Sequence, residues 1–200
     1  SEFNQDIGDW DVSSGTDFSE MFLCHGNSVF NQDIGSWDVS SGIDFDSMFE
    51  GATEFNQDIG GWDVSSGTDF DEMFANAKSF NQDIGDWDVS SGTDFEYMFS
   101  EASAFNQDIG DWDVSSGNDF SEMFLCYGNS VFNQDIGSWD VSNGTNFDSM
   151  FEGATYFNQD IGDWDVSNSL SFNEMFSGAT SFNQDIGNWD VSCLLYTSPS

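Results

Sequence analysis

Basic residues are almost missing from this chain. Lys78 is the only lysine, arginine is absent, and 38 aspartates and glutamates leave a formal charge of −37 over 200 residues. Nucleic acid and anionic membrane surfaces repel such a chain, whereas cations, basic proteins and ionic surfaces are compatible partners. Histidine occurs once, as His25, and no Ser-His-Asp set, Cys-x-x-Cys, P-loop or Gly-x-Gly-x-x-Gly is present, so no enzymatic activity is expected. No apolar run is long enough to span a bilayer. Proline is confined to Pro199, in the last residues. Of the three cysteines, Cys24 and Cys126 occupy matching places in the chain, four repeats apart. At roughly 4.8 Å per repeat they are too far apart to bridge, and they read as small buried residues filling the place of Ala52, Ala77 or Ala102.

Aromatic residues are plentiful: 22 Phe and 8 Trp. Disordered acidic chains are poor in aromatics, so the acidity does not signal disorder. The aromatics recur with Phe-Asn-Gln-Asp-Ile-Gly-x-Trp-Asp-Val-Ser, which begins at Phe3, Phe30, Phe55, Phe80, Phe105, Phe132, Phe157 and Phe182. Successive copies start 25 or 27 residues apart. The longer units carry Leu23 to Val29 and Leu125 to Val131, whose extra residues are expected to bulge outward. Residues at one position of every copy form shared apolar columns, the mark of a core made by stacking units that cannot bury their own faces alone.

Ile7-x-x-Trp10-x-Val12 follows the spacing of leucine-rich repeats. Trp10 and Val12 alternate with Asp9, Asp11 and Ser13, which predicts a short strand over about 9–13 in each copy. Phe18, Met21 and Phe22 have helical spacing, and Asp17 with Glu20 resembles a capping box, which predicts one or two helical turns. The expected fold is therefore a leucine-rich-repeat-like solenoid, one short parallel strand plus a short helix per coil, in about eight coils. A single array covers 1–192, reads as an uncapped piece of a longer one, and is followed by a non-repeat tail at 193–200. Asn4 and Gln5 are expected to ladder between coils through their amides.

The repeated motif, followed by Met-Phe and often Gly-Ala (Met48, Phe49, Gly51, Ala52), resembles a bacterial surface-protein repeat of about 25 residues grouped with BspA-type leucine-rich repeats. The resemblance implies a non-enzymatic structural or adhesive module at the cell surface or outside the cell, contacting protein or matrix partners. The chain departs from it at Gly15, where valine is usual, and at Phe18, where methionine is usual.

Stacking turns each repeated acid into a column. Asp11, Asp38, Asp63, Asp88, Asp113, Asp140, Asp165 and Asp190 form one outward column, and Asp9, Asp86, Asp111 and Asp163 an interrupted second. A third runs from Asp6 to Asp185 in the corner before the strand. Such columns repel themselves, and calcium, which accepts several oxygen ligands, is the natural cofactor to expect on the first two. Bonding of the Asp6 column to its own turn backbone is the competing reading there. A lattice-matching role toward ice or mineral is the alternative function, resting on the partial column Thr16, Thr68, Thr93 and Thr145, interrupted by Ile43, Asn118 and Leu170. Self-association along the array axis is a further expectation.

Overall fold

A computed structural model describes residues 3–26, 28–128 and 130–196. The chain winds into stacked coils: coil 1 (3–29), coil 2 (30–54), coil 3 (55–79), coil 4 (80–104), coil 5 (105–131), coil 6 (132–156), coil 7 (157–181) and a half coil 8 (182–192). One hydrophobic cluster runs without interruption from Ile7 to Met175, with the side chains of coil 8 packed on its end.

The expected strand and helix are both absent among the described residues. Among these residues the only helical element is a 3-10 turn at Ser192–Tyr196, where the array passes into the tail. This overturns the leucine-rich-repeat-like solenoid of strand-plus-helix coils: the coils are made of turns. At 9–13 the backbone closes on itself, with the Trp10 N–H donating to Ile7 O (3.0 Å) and the Gly15 N–H to Val12 O (2.8 Å). Ties between coils at this segment are made by side chains. From Trp37 onward each Trp donates Nε1–H to the Ile carbonyl of the coil before, as Trp62 does to Ile34 (3.1 Å). Alternating polarity thus produced an inward Trp and Val without a hydrogen-bonded ladder. Parallel pairing is reduced to isolated one-residue bridges, running from Asp17↔Asp44 to Asn146↔Ser171.

The helix fails for a different reason. Glu20, Ser47, Glu72, Tyr97, Glu122, Ser149 and Glu174, all at one position, have φ of 51–56°. A left-handed residue in that place breaks a right-handed helix. It makes the segment a succession of turns, such as Met73 N–H to Phe70 O and Ala75 N–H to Glu72 O. The peptides between these turn bonds are then free to point along the stack. In coil 3 the N–H groups of Phe70, Glu72, Phe74 and Asn76 donate to the carbonyls of Asp94, Glu96, Met98 and Ser100 in coil 4 at 2.7–3.0 Å. Coil 3 holds two left-handed non-glycine residues, Glu72 and Asn76, at about 1–2 kcal/mol each. Four inter-coil bonds at about 0.5–1.5 kcal/mol each, and the burial they hold in place, outweigh that. The Asp17/Glu20 capping box is corrected with the helix: Asp17 Oδ1 accepts the Ser19 N–H in a local turn, and Glu20 is the left-handed residue.

Burial follows from the stacking. Phe45, Phe70, Phe95, Phe120 and Phe147 are fully buried, with ring centroids 5.4–5.7 Å apart from coil to coil. Phe49 lies 4.2 Å from Phe55 of the next coil, and Phe74 lies 4.0 Å from Phe80. Removing any one of these rings exposes its neighbours in two coils. The amide ladder is present: Asn56 Oδ1 accepts both the Asn81 N–H and Gln82 Nε2–H, at 2.9 and 2.8 Å.

The two longer units keep the register. His25, Gly26 and Val29 are exposed, as are Tyr127, Gly128 and Val131. Cys24 and Cys126 are buried, but not at the alanine position. Their N–H groups bond Glu50 O and Glu152 O, which places them in register with Gly51 and Asn76, one residue before Ala52 and Ala77.

Glycine is required where coils touch. A Cβ on Gly85 would lie 2.6 Å from the Asp108 carbonyl oxygen of the next coil, whereas one on the adjacent-motif Gly61 would meet nothing within 4 Å. Gly85→Ala is expected to destabilise the chain by about 1–3 kcal/mol and Gly61→Ala to leave it within about 0.5 kcal/mol. The urea midpoints of the two variants check this directly.

Candidate functional site

Acidic side chains are the only chemistry this chain offers in quantity, and the coils sort them into two kinds. The outward column of Asp11, Asp38, Asp63, Asp88, Asp113, Asp140, Asp165 and Asp190 is exposed throughout. Each carboxylate turns back on its own chain: Asp63 Oδ1 accepts the Ser65 N–H at 3.1 Å and the Ser65 Oγ–H at 2.6 Å. Asp11 and Asp38 do the same with Ser13 and Ser40. Backbone donors from Ser90, Ser115, Ser142, Ser167 and Ser192 hold the rest. The serine hydroxyl and N–H stabilise the charged form, so Asp11, Asp38, Asp63, Asp113, Asp165 and Asp190 lie below the ordinary aspartate range. Asp9, Asp86, Asp111 and Asp163 are exposed on the same side. The corner column caps its turns in every copy, Asp6 Oδ1 accepting the Gly8 N–H and Asp185 Oδ1 the Gly187 N–H. Among the described residues no group of three or more His, Cys, Asp or Glu side chains is arranged to hold a metal ion.

The second kind of acid lies on the turn-built half of the coil. Asp44, Asp69, Asp94 and Asp119 stand in register through their bridges, and two residues further on come Asp46, Asp71 and Glu96. All are half-buried. The bridging residues again cap their turns, Asp69 Oδ1 accepting the Asp71 N–H at 3.1 Å and Asp94 Oδ1 the Glu96 N–H at 3.0 Å. Burial nonetheless dominates over those bonds and pushes Asp69 and Asp94 above the ordinary range. Asp71 is the extreme. Its Oδ1 is buried and has no hydrogen-bond partner among the described residues. Burial first, then the charges of Asp94, Glu96, Glu72 and Asp46, raise it to about 8. Glu72 and Glu96 are raised by burial and by neighbouring acids as well. The shift favours the protonated form of Asp71, which lessens the repulsion along the ridge. Tyr97, in the left-handed place of coil 4, donates its hydroxyl to Glu122 Oε1 at 2.6 Å and is raised in turn.

Sequence reasoning placed its candidates on the first column and missed this ridge. The signal was a fivefold run of Asp directly before Phe (Asp17, Asp44, Asp69, Asp94, Asp119). Reading it as a helix cap hid the fact that it faces a neighbouring acid in the next coil. The strand face on which both the adhesive and the ice- or mineral-binding readings relied is absent, and those two readings fall with it. Thr68 and Thr93 spend their hydroxyls on carbonyls of the preceding coil, Ile43 O and Thr68 O.

The hollows around the stack are open surface clefts. Inside the core, a separate gap between the buried Phe99, Phe105, Phe124 and Phe132 has a volume of about 10 Å³, room for at most a water. The arrangement defines a tandem array of turn-built coils held by aromatic columns. The chain belongs to the family described as Mycoplasma protein of unknown function, DUF285, whose pattern matches three times, over residues 1–77, 58–126 and 125–198. That family replaces the BspA-type leucine-rich-repeat resemblance read from the motif. No curated protein and no solved structure matches the chain.

Ser65→Ala removes the hydroxyl that most strongly favours the charged form of Asp63. The Asp63 carboxyl is expected to titrate at higher pH in that variant, with Asp190 unmoved. Carbon-detected titration of both side chains by nuclear magnetic resonance reads the difference.

Proposed function

We propose that the chain is a non-catalytic scaffold that keeps its shape best in mildly acidic surroundings. The observation that carries this reading is the buried, unpartnered Asp71 oxygen inside a ridge of stacked acids. Support comes also from the lack of compensating cations: one lysine serves the whole chain, and it lines an open cleft elsewhere. An array of this kind offers shape and length, with clefts lined by short polar side chains in place of an enclosed reaction chamber.

The direction of the pH response follows from linkage. Asp71 has a folded-state value near 8 against about 3.9 in an unfolded chain. Its contribution to stability is fully present below the unfolded value and is lost as pH rises from about 4 through about 8. Asp69, Asp94, Glu72 and Glu96 are raised too and act in the same sense. The serine-capped column works in the opposite sense, because its lowered values contribute stability that disappears as pH falls below the unfolded value. Stability thus peaks in the mildly acidic range.

The melting temperature is expected to fall by at least about 3 °C between pH 5 and pH 9, a change of order 1 kcal/mol for a chain of this size. Asp71→Asn, which cannot ionise, is expected to melt higher than the parent at pH 9 and to flatten the profile. A melting temperature that holds steady or climbs over that interval would overturn the reading.

A further inference from the structure

The acid ridge is unequally supplied with donors along its length. Where coils 4 and 5 meet, Tyr97 donates its hydroxyl to Glu122 Oε1 at 2.6 Å. Where coils 5 and 6 meet, Asn146 Nδ2–H donates to Asp119 Oδ2 and to Ser121 Oγ, both at 3.1 Å. Where coils 6 and 7 meet, the Ser171 hydroxyl and the Asn173 N–H donate to Asp148 Oδ1. Coils 1 and 2 supply donors within themselves, the Ser19 hydroxyl to Asp17 at 2.6 Å and the Ser47 hydroxyl to Asp46 at 2.7 Å. Coil 3 carries neither kind. Its residues at these positions are Asp69, Asp71 and Glu72, all acids. They face Asp94 and Glu96 of coil 4 on one side and Asp44, Asp46 and Glu50 of coil 2 on the other. Among the described residues no hydroxyl or amide side chain donates to a carboxylate across the joint between coils 3 and 4. The buried, unpartnered Asp71 Oδ1 belongs to this same acid-only coil.

We propose that the joint between coils 3 and 4 is where rising pH opens the array, parting the turn-built halves of these two coils while their Trp-bearing halves stay joined. The inference rests on the reading of Asp71 above and gives it a location. Burial acts first on Asp71, then the charges of Asp94 and Glu96 in coil 4, ahead of Glu72 in its own coil and Asp46 in coil 2. An ionised Asp71 is a charge with one oxygen held from water and without a donor, and opening the joint rehydrates it. Because its folded-state value is raised, the closed joint is favoured below about 4 and loses that advantage as pH climbs through about 8. Two of the four bonds that must break, from the N–H groups of Phe70 and Glu72, end on the carbonyls of Asp94 and Glu96 themselves. The other half of the joint holds through groups that do not titrate. Asn81 N–H donates to Asn56 Oδ1 at 2.9 Å, Trp87 Nε1–H to Ile59 O at 3.1 Å and the Ser91 hydroxyl to Ser65 O at 2.9 Å. An array whose coils are tied to their immediate neighbours can open at one joint and keep the rest.

Amide hydrogen exchange of the whole chain at pH 5 and pH 8, with rates corrected for base catalysis, reads the joints one by one. The amides of Phe70, Glu72, Phe74 and Asn76 report on the joint of coils 3 and 4, and those of Phe120, Glu122, Phe124 and Cys126 on the joint of coils 5 and 6. Between the two pH values, protection of the first set is expected to fall at least about tenfold more than that of the second, the factor that one unit of displaced acidity supplies. Glu96→Ser gives coil 4 the residue that coil 5 carries there, Ser121, whose hydroxyl bonds Glu96 across the next joint. It should abolish the difference between the two sets at pH 8, and so should Asp71→Asn. Protection that falls alike at both joints overturns the proposal, and a melting temperature that falls with it leaves the scaffold reading in place. A difference that persists in Asp71→Asn overturns the proposal as well. Protection and melting temperature that both hold steady from pH 5 to pH 8 remove the two together.

Discussion

Every coil hands part of its backbone hydrogen bonding to the next, and this one constraint shapes the rest of the molecule. Four N–H groups per coil leave along the stack, and the carbonyls paired with them face backward. A helix would have kept these groups for itself and left the coils joined by side chains alone. Exporting them requires a left-handed residue in the same place in seven coils, among them Glu72 and Tyr97, where glycine would be less strained. The aromatic columns follow from this geometry. Successive coils fixed by backbone bonds set like rings face to face at distances such as the 5.7 Å between Phe70 and Phe95. Gly67 and Gly92 leave room for these rings, since a Cβ on either would press on the Phe three residues later.

The same stacking that aligns rings also aligns acids, and the outcome depends on the local depth. On the outward side, Asp63 finds two donors on its own serine and is comfortable as an anion. On the turn-built side, the buried oxygen of Asp71 meets no donor among the described residues, and burial favours its protonated form. One repeat thus places carboxyls of opposite acid–base character on two parts of its surface. Their separation arises from burial and from which backbone N–H each carboxylate reaches, with no basic residue involved.

The period, the apolar columns and the amide ladder could be read from residues, because repetition at 25 or 27 residues forces like onto like whatever the local backbone does. The secondary structure could not. Trp10-Asp-Val alternates as a strand does, yet Trp Nε1–H and serine hydroxyls make the bonds between coils that a strand would make through its backbone. Phe18, Met21 and Phe22 have helical spacing, yet overlapping turns of opposite-signed φ are what bring their counterparts Phe70, Met73 and Phe74 inward. Nothing about glutamate, serine or tyrosine marks the left-handed position, since these residues ordinarily avoid it. The acid ridge is hidden in the sequence for the related reason that Asp before a helically spaced Phe reads as a helix cap. The raised Asp71 depends on neighbours 25 residues away in both directions, Asp46 and Glu96.

A stack in which alternate peptides point the same way has an electrical direction. Sheet dipoles largely cancel. Here four peptide dipoles per coil, each of about 3.5 D, add along the axis, against two opposed at the Thr68-type and Asn81-type positions. Each added coil moves the two ends further apart without weakening either. At every such joint these amide hydrogens point toward the higher-numbered coil and the carbonyl oxygens toward the lower-numbered one, so a chain that is acidic everywhere still has an electrical direction. Alignment in a field is therefore a vectorial property of this stack, and its two directions are chemically distinguishable even though its coils are nearly the same.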